Sequence, residues 1–214
     1  LLSSRPDDAV SRTLARQDYE QNVDATLRQP LLAAHQALLT WAQQEKNTAL
    51  AQRCQEFGDW AQGGTVRLLP GPTGERNTYA LLPRERVLCL FDNEQDALIQ
   101  LAAVLAVGSR VQWIDSEVQR ALYRRLPKAV QQQINVAKSW DAEGVEFDAV
   151  IYHGDSDQLR SLCEKIAERP GAIVSVQGFS HGETGILLER LLLERSLSVN
   201  TAAAGGNASL MTIG

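Results

Sequence analysis

No stretch of this chain approaches the ~18–20 consecutive apolar residues of a membrane-spanning helix; the densest run, "LAAVLAVG", is far too short. Cysteine is scarce. Cys54, Cys89 and Cys163 are odd in number and widely separated, which offers neither a CxxC metal site nor a disulfide framework and fits a reducing cytosol. The chain has no GxxxxGK[ST] loop, no clean GxGxxG opening a helix and no Gly-x-Ser-x-Gly elbow, so the familiar phosphate cradles and the hydrolase nucleophile turn are missing. Histidine is limited to His35, His153 and His181, none paired at metal-ligand spacing. Positive charge is short as well. With 21 Lys and Arg against 26 Asp and Glu the net charge is -5 and the pI is near 5.3, which argues against a nucleic-acid surface and against polybasic attraction to anionic lipid.

What is present suffices for a packed core. The chain has 214 residues, 44% hydrophobic and 22% charged, enough for one large domain or a domain with a helical extension. It begins at Leu1, and we expect a piece of a longer polypeptide. The first third reads helical. Pro6 and Asp7–Asp8 make a helix start before Ala9, Val10, Thr13 and Leu14. Leu31, Leu32, His35, Leu38, Leu39 and Ala42 recur at helical spacing, as do Leu50, Cys54, Phe57 and Ala61. Gly63–Gly64 closes this zone.

The grammar then changes to strands alternating with helices. "TVRLL", "YALL" and "RVLCLF" read as strands, with "PGPTGE" a rigid turn between the first two. The near-continuous apolar run of "RVLCLF" is that of a strand covered on both faces. "DNEQDALIQLAAVLAVG" reads as a helix capped by Asp92 or Asn93 and closed by Gly108. "RVQWI", "INVAK", "FDAVIYHG" and "GAIVSVQGF" are further strands. "DSEVQRALYRRL", ended by Pro127, and "DSDQLRSLCEKIAER" are capped helices. This alternation predicts βαβ crossovers and a mostly parallel sheet, a Rossmann-like α/β layout with a helical segment in front. We divide the chain into a helical segment at 1–64, the Rossmann-like part at 65–195 and a terminal segment at 196–214. "ILLERLLLER" fits a helix or a strand. From Ser196 the pattern alternates, Leu197 and Val199 on one side and Ser196, Ser198 and Asn200 on the other, as in a strand with one apolar face.

The chemistry legible from residues alone is thin. "YHGDSD" ends a strand and starts a helix, where open α/β sheets collect ligands. His153, Asp155 and Ser156 are the nearest approach to a cofactor-binding set, though Asp155 or Ser156 also reads as a plain helix cap. "GFSHGETG" reads as a loose glycine-rich turn. Cys89 lies in an apolar strand where its thiol is inert, and Cys163 reads as a helix core residue. Trp41, Trp60, Trp113 and Trp140 read as packing anchors. No catalytic set and no metal site emerge.

The carboxyl end is more distinctive. "LERLLLERSLSVNTAAAGGNASLMTIG" resembles the terminal motif of the long bacterial proline utilization A (PutA) proteins. "LPGPTGERNTYALLPRERVLCL", "EQDALIQLAAVLAVGS", "AVIYHGDSDQLR" and "IVSVQGF" are similar to the segments preceding it, and "LLSSRPDDAVSRTLARQD" to the linker out of the preceding catalytic domain. The resemblance implies a C-terminal domain similar to the Rossmann half of aldehyde dehydrogenases but without catalysis. Its parent carries FAD-dependent proline dehydrogenase and NAD-dependent glutamate-semialdehyde dehydrogenase activities joined by a tunnel, so FAD and NAD belong to the parent and no cofactor to this segment. The motifs around an aldehyde dehydrogenase's nucleophilic cysteine and its glutamate base are absent, and Cys89 is a poor substitute. The implied partner is the glutamate-semialdehyde dehydrogenase domain of the same polypeptide. Leu197, Val199, Asn200, Thr201, Gly205, Gly206, Asn207 and Leu210 are the implied docking residues covering the tunnel. The resemblance also implies a cytoplasmic enzyme whose parent associates peripherally with the inner membrane. In some members an N-terminal domain binds DNA, and no nucleic acid is expected at this segment. A homo-oligomer is left open. An uncharged tail docks without desolvating an ion. Cut from its surface, we expect Ser196–Gly214 to be partly disordered, to pair within this domain, or to swap into a neighbouring copy.

Overall fold

The computed structural model describes residues 25–200. The helix expected at Pro6–Leu14 and the docking residues Thr201, Gly205, Gly206, Asn207 and Leu210 lie outside the described residues. The chain opens with α1 (Ala25–Gln44) and α2 (Thr48–Trp60). The buried stripe of α1 is Ala34, His35, Leu38, Leu39, Trp41 and Ala42. Leu32, expected on that stripe, is instead exposed, and the side chain of Leu31, expected beside it, lies outside the described residues. Leu50, Cys54 and Phe57 form the inner face of α2 as expected. Asn47 caps that helix by accepting from the Leu50 amide.

Strands β1 (Thr65–Leu69), β2 (Glu75–Pro83) and β3 (Arg86–Leu90) come next, then α3 (Glu94–Val107) and β4 (Arg110–Ile114). The short helices α4 (Glu117–Tyr123) and α5 (Lys128–Gln131) lead into β5 (Ile134–Ala137). The chain continues through β6 (Ala149–His153), α6 (Ser156–Ala167) and β7 (Ser175–Phe179), and reaches β8 (Leu192–Asn200) through a 3-10 turn at Leu188–Leu191. The ambiguous "ILLERLLLER" is therefore neither one helix nor one strand. It is a short turn of helix followed by the start of β8.

Five strands form a parallel sheet in the order β5-β4-β3-β6-β7. Counted from β3 this is the 3-2-1-4-5 order of a Rossmann-like sheet, with its switch point between β3 and β6. Both faces are buried, and the two-residue period shows how. Val87, Cys89, Ala149 and Ile151 point into the larger core, shared with α1, α2 and α3. Leu88, Val150 and Tyr152 point into the smaller one, with Phe147 and the α6 residues Leu162 and Ile166. Every residue of α3 from Asp96 to Val107 is buried. That is what its all-round apolar composition requires of a helix wedged between a sheet and two other helices. Asn93 caps it, accepting from the Asp96 amide at 2.9 Å. Gly108 ends it in the left-handed region at φ 86°.

The strands "TVRLL" and "YALL" do not join this parallel sheet. They form an antiparallel hairpin, β1 and β2, turned at the Pro- and Gly-rich corner, and β8 adds along the other side of β2. The tail segment thus pairs within its own chain as far as Asn200. β2 grows to nine residues because it is paired on both edges.

Gly63, where the helical zone meets β1, sits against the end of α3: a Cβ there would lie 2.1 Å from the Val107 carbonyl oxygen. Because that obstacle is backbone, Gly63→Ala is expected to destabilise the fold by roughly 1–3 kcal/mol through overpacking. Gly144 sits at φ 79° with no atom within 4 Å of a Cβ, so Gly144→Ala should cost about 1 kcal/mol from backbone strain alone. Thermal denaturation of the two variants side by side checks this, and equal losses would contradict the close approach at Gly63.

Candidate functional site

In an open parallel sheet the chemistry gathers where strand order reverses, outside the carboxyl ends of the strands. Here that place lies between the ends of β3 and β6, next to the start of α3. Gln100, in the second turn of α3, donates through Nε2 to the Leu90 carbonyl and to Nδ1 of His153, each at 2.8 Å. An accepting Nδ1 leaves the proton on Nε2, and that N–H donates to the Glu183 carbonyl at 2.9 Å. The imidazole stacks on Phe179 at the end of β7, centroids 5.2 Å apart. His153 is thus wholly buried, with both ring nitrogens taken by the chain itself.

Asp96 is the second hub. Its side chain is 1% exposed, yet it is fully satisfied. It accepts from the Gly182 amide at 2.9 Å, from His181 Nδ1 at 2.8 Å and from Asn93 Nδ2 at 2.6 Å. Burial works to raise its pKa, but the three donors outweigh burial and hold the carboxyl below its ordinary value. His181 moves the other way, raised by its bond to Asp96 and by the surrounding carboxylates. Glu94 and Asp96 place two negative charges in the first turn of α3, and Asp92 lies just before it. This favours the helix dipole and opposes a phosphate at the same spot.

Asp155 takes the structural role: its Oδ1 accepts from the amides of Asp157 and Gln158, both at 2.9 Å, capping α6. Ser156 is the first residue of that helix. The crevice therefore brings His153 together with Asp96, Gln100 and His181, a group that motif reading missed. One signal was available. Asp96 and Gln100 are polar residues one turn apart in a helix otherwise apolar on every side, and such residues need buried partners.

The thiols offer no nucleophile here. Burial pushes Cys54 up to about 12 and raises Cys89 further. Cys163, expected in the helix core, is exposed, because the buried stripe of α6 runs through Leu162 and Ile166 and passes beside it. Trp41 and Trp113 are buried anchors, Trp140 is half-buried and Trp60, expected as an anchor, is exposed. Trp113 meets Phe91 edge-on and Trp140 meets Phe147 likewise, Trp60 packs on Phe57, and the Arg125 guanidinium lies 5.9 Å from the Trp41 ring centroid. Among the described residues no three His, Cys, Asp or Glu side chains are grouped to hold a metal ion, and no helix is long and apolar enough to cross a membrane.

A second feature lies on the antiparallel sheet. Its register puts Val66 and Leu68 of β1 on the same face as Leu193, Leu197 and Val199 of β8. Leu68 is 66% exposed, Leu197 47% and Val199 42%. The opposite face carries Ser196, Ser198 and Asn200 with Tyr79, whose phenol bonds the Glu194 carboxylate. From Ser196 to Asn200 the two sides of β8 are thus sorted by polarity; Arg195, with Arg76 and Thr78 of β2, shares the face of Leu197 and Val199, and the apolar side chains there are exposed.

Strand order, buried helix and switch-point crevice define a Rossmann-like α/β domain of the kind found in aldehyde dehydrogenases. Solved structures agree. PutA with proline bound in remote sites matches with a TM-score of 0.50 at 17% identity, over 83% of this chain and 22% of that one. Apo betaine aldehyde dehydrogenase from Staphylococcus aureus matches at 0.50 and 16%, over 78% of this chain and 41% of that one. In sequence the chain is homologous to a segment of the bifunctional protein PutA. It is 61% identical over all 214 residues to that of Escherichia coli strain K12, and 62% identical to that of Salmonella typhimurium. The Rhizobium meliloti protein matches over 68% of the chain at 41% identity. The chain spans 16% of the length of the first two relatives. No protein-family model matches it.

Two outcomes test this geometry. Asp96→Ala strands the Gly182 amide and the Asn93 and His181 donors, and should cost roughly 2–3 kcal/mol in a denaturant titration; a loss under about 0.5 kcal/mol would show that the bonds carry little. In the native protein only Cys163 should react with a chromogenic thiol reagent, Cys54 and Cys89 reacting after unfolding; stoichiometry against time reads this out.

Proposed function

We propose that this segment is a non-catalytic part of a PutA enzyme of proline catabolism, a scaffold and lid rather than a third active site. In that reading the parent oxidises proline with FAD, and the resulting glutamate semialdehyde with NAD. This segment docks on the glutamate-semialdehyde dehydrogenase domain of the same cytoplasmic polypeptide. The carrying observation is the uncovered apolar face made by Leu68, Leu193, Leu197 and Val199. Apolar area of this kind, concentrated on one side of a paired sheet, is the mark of a surface made to be covered. Beyond Arg195 at the edge of that face, residues 196–200 carry no charge, so docking this stretch strips no ion of water. The docking role given to Leu197, Val199 and Asn200 extends in the same proposal to Thr201, Gly205, Gly206, Asn207 and Leu210, which follow them in sequence.

The absence of chemistry in this segment is supported by its buried thiols, Cys54 and Cys89, both held protonated by burial. A second reading, a dinucleotide-binding domain, draws on the strand order alone. It is opposed by the carboxylates at the start of α3 and by the chain's own residues 181–183 bonded across the crevice.

Placing Leu197→Asp and Val199→Asp together in the full-length enzyme should leave each half-reaction, assayed separately, within about twofold of its starting rate. The coupled proline-to-glutamate flux should develop a lag or fall several-fold, and the two carboxylates should weaken assembly. Unchanged coupled flux and assembly would refute the lid. Calorimetry with NAD on this segment should show no binding tighter than the millimolar range, and micromolar affinity would favour the second reading.

A further inference from the structure

We propose that Ser180–Gly185 is a pH-sensitive strap, closed over the crevice at the carboxyl ends of β3 and β6 by the contact of His181 with Asp96. The segment leaves β7 after Phe179 and regains the core at Ile186, which is 3% exposed. Between these two anchors no side chain is buried, so the strap has no apolar grip of its own. Polar ties hold it down, among them His181 Nδ1 and the Gly182 amide on Asp96 at 2.8 and 2.9 Å, the Glu183 carbonyl on His153 at 2.9 Å, and Thr184 Oγ1 on Arg53 at 2.7 Å, with Asn93 Nδ2 3.3 Å from His181 Nδ1. Within the strap, the Glu183 amide donates to the Ser180 carbonyl and the Glu183 carboxylate accepts from the Ser180 amide. Segments fastened by polar bonds at their margin rather than by buried apolar area of their own open before the core does.

The charges around His181 are all of one sign. Asp96 faces it from α3, and Asp92 from the turn after β3, 4.0 Å from Nε2. Asp155 faces it from the turn after β6. His153 lies behind Asp96. The nearest strap cation partner, Arg53, sits at the Thr184 end and is already paired with Glu56 at 2.7 Å. A charged imidazole therefore neutralises a carboxylate cluster, and a neutral one leaves it uncompensated. The sign follows. His181 has a raised pKa in the folded state, so its contribution is complete below the ordinary imidazole value of about 6.5 and is lost as pH climbs through the raised one. Asp96, whose pKa is lowered, contributes above the ordinary carboxylate value and fails only as pH falls through its depressed one. The strap is tightest between these limits and loosens on the alkaline side.

Hydrogen–deuterium exchange of the full-length protein, corrected for the intrinsic rate, tests this at pH 6 and pH 8.5. Peptides covering Ser180–Gly185 should lose protection several-fold at the higher pH, while those of α3 stay unchanged. His181→Gln should abolish the pH dependence and hold the strap near its alkaline protection. If that variant also loosens α3, Asp92→Asn decides the matter: removing one anion should move the midpoint of strap opening to lower pH. Equal strap protection at both pH values, a surviving pH dependence in His181→Gln, or an unmoved midpoint in Asp92→Asn would each overturn the proposal.

Discussion

A parallel sheet must be covered on both faces, since its strands are joined by crossovers that lie across them. Everything else in this molecule is arranged around that requirement. Helix α3 is the main cover. It lies in the larger core with β3, β4 and β6, and α1 and α2 close over its far side. Because it is buried from Asp96 onward, its residues there are aliphatic apart from Asp96 and Gln100. A fully buried Leu or Val contributes ~1.5–3 kcal/mol by leaving water, and α3 supplies Leu98, Leu101, Val104, Leu105 and Val107 to this end.

The same burial creates a polar problem at the carboxyl ends of the strands, where carbonyls, amides and a histidine meet without solvent. The solution is internal. Gln100 ties β3 to β6 through Leu90 and His153, and Asp96 gathers the loop that leaves β7. A Rossmann-like crevice that binds a nucleotide keeps its helix N-terminus open to an anion. This one supplies its own anion from the first turn of the helix, and its own loop fills the approach. At that point the polar groups of the crevice are bonded to one another.

The elements legible in the sequence were those with local causes. Asn93, Ser116 and Asp155 cap helices by bonding amides two or three residues away, and Gly108 takes a conformation its neighbours would resist. The doubly covered "RVLCLF" announced its environment by having no polar face. Leu32 and Cys163 read as core and are exposed, because helical spacing gives a face but not the extent of what packs on it. The partnership of Asp96 with His181 was invisible for a plainer reason: 85 residues separate them, and no spacing rule links a helix start to a loop that the chain reaches only after β4, β5, β6 and β7.

The order of strands and helices, their caps and the alternating polarity of Ser196–Asn200 were determined by the sequence alone, because each follows from side-chain periods of two or 3.6 and from the φ preferences of a few residues. Only the tertiary structure decided that "TVRLL" and "YALL" leave the parallel sheet to build a separate one with β8. It alone decided which residues share the switch-point crevice. Strand partners and buried polar contacts are chosen by which surfaces remain unpaired once the local elements exist, and that choice is made across the whole chain rather than along it.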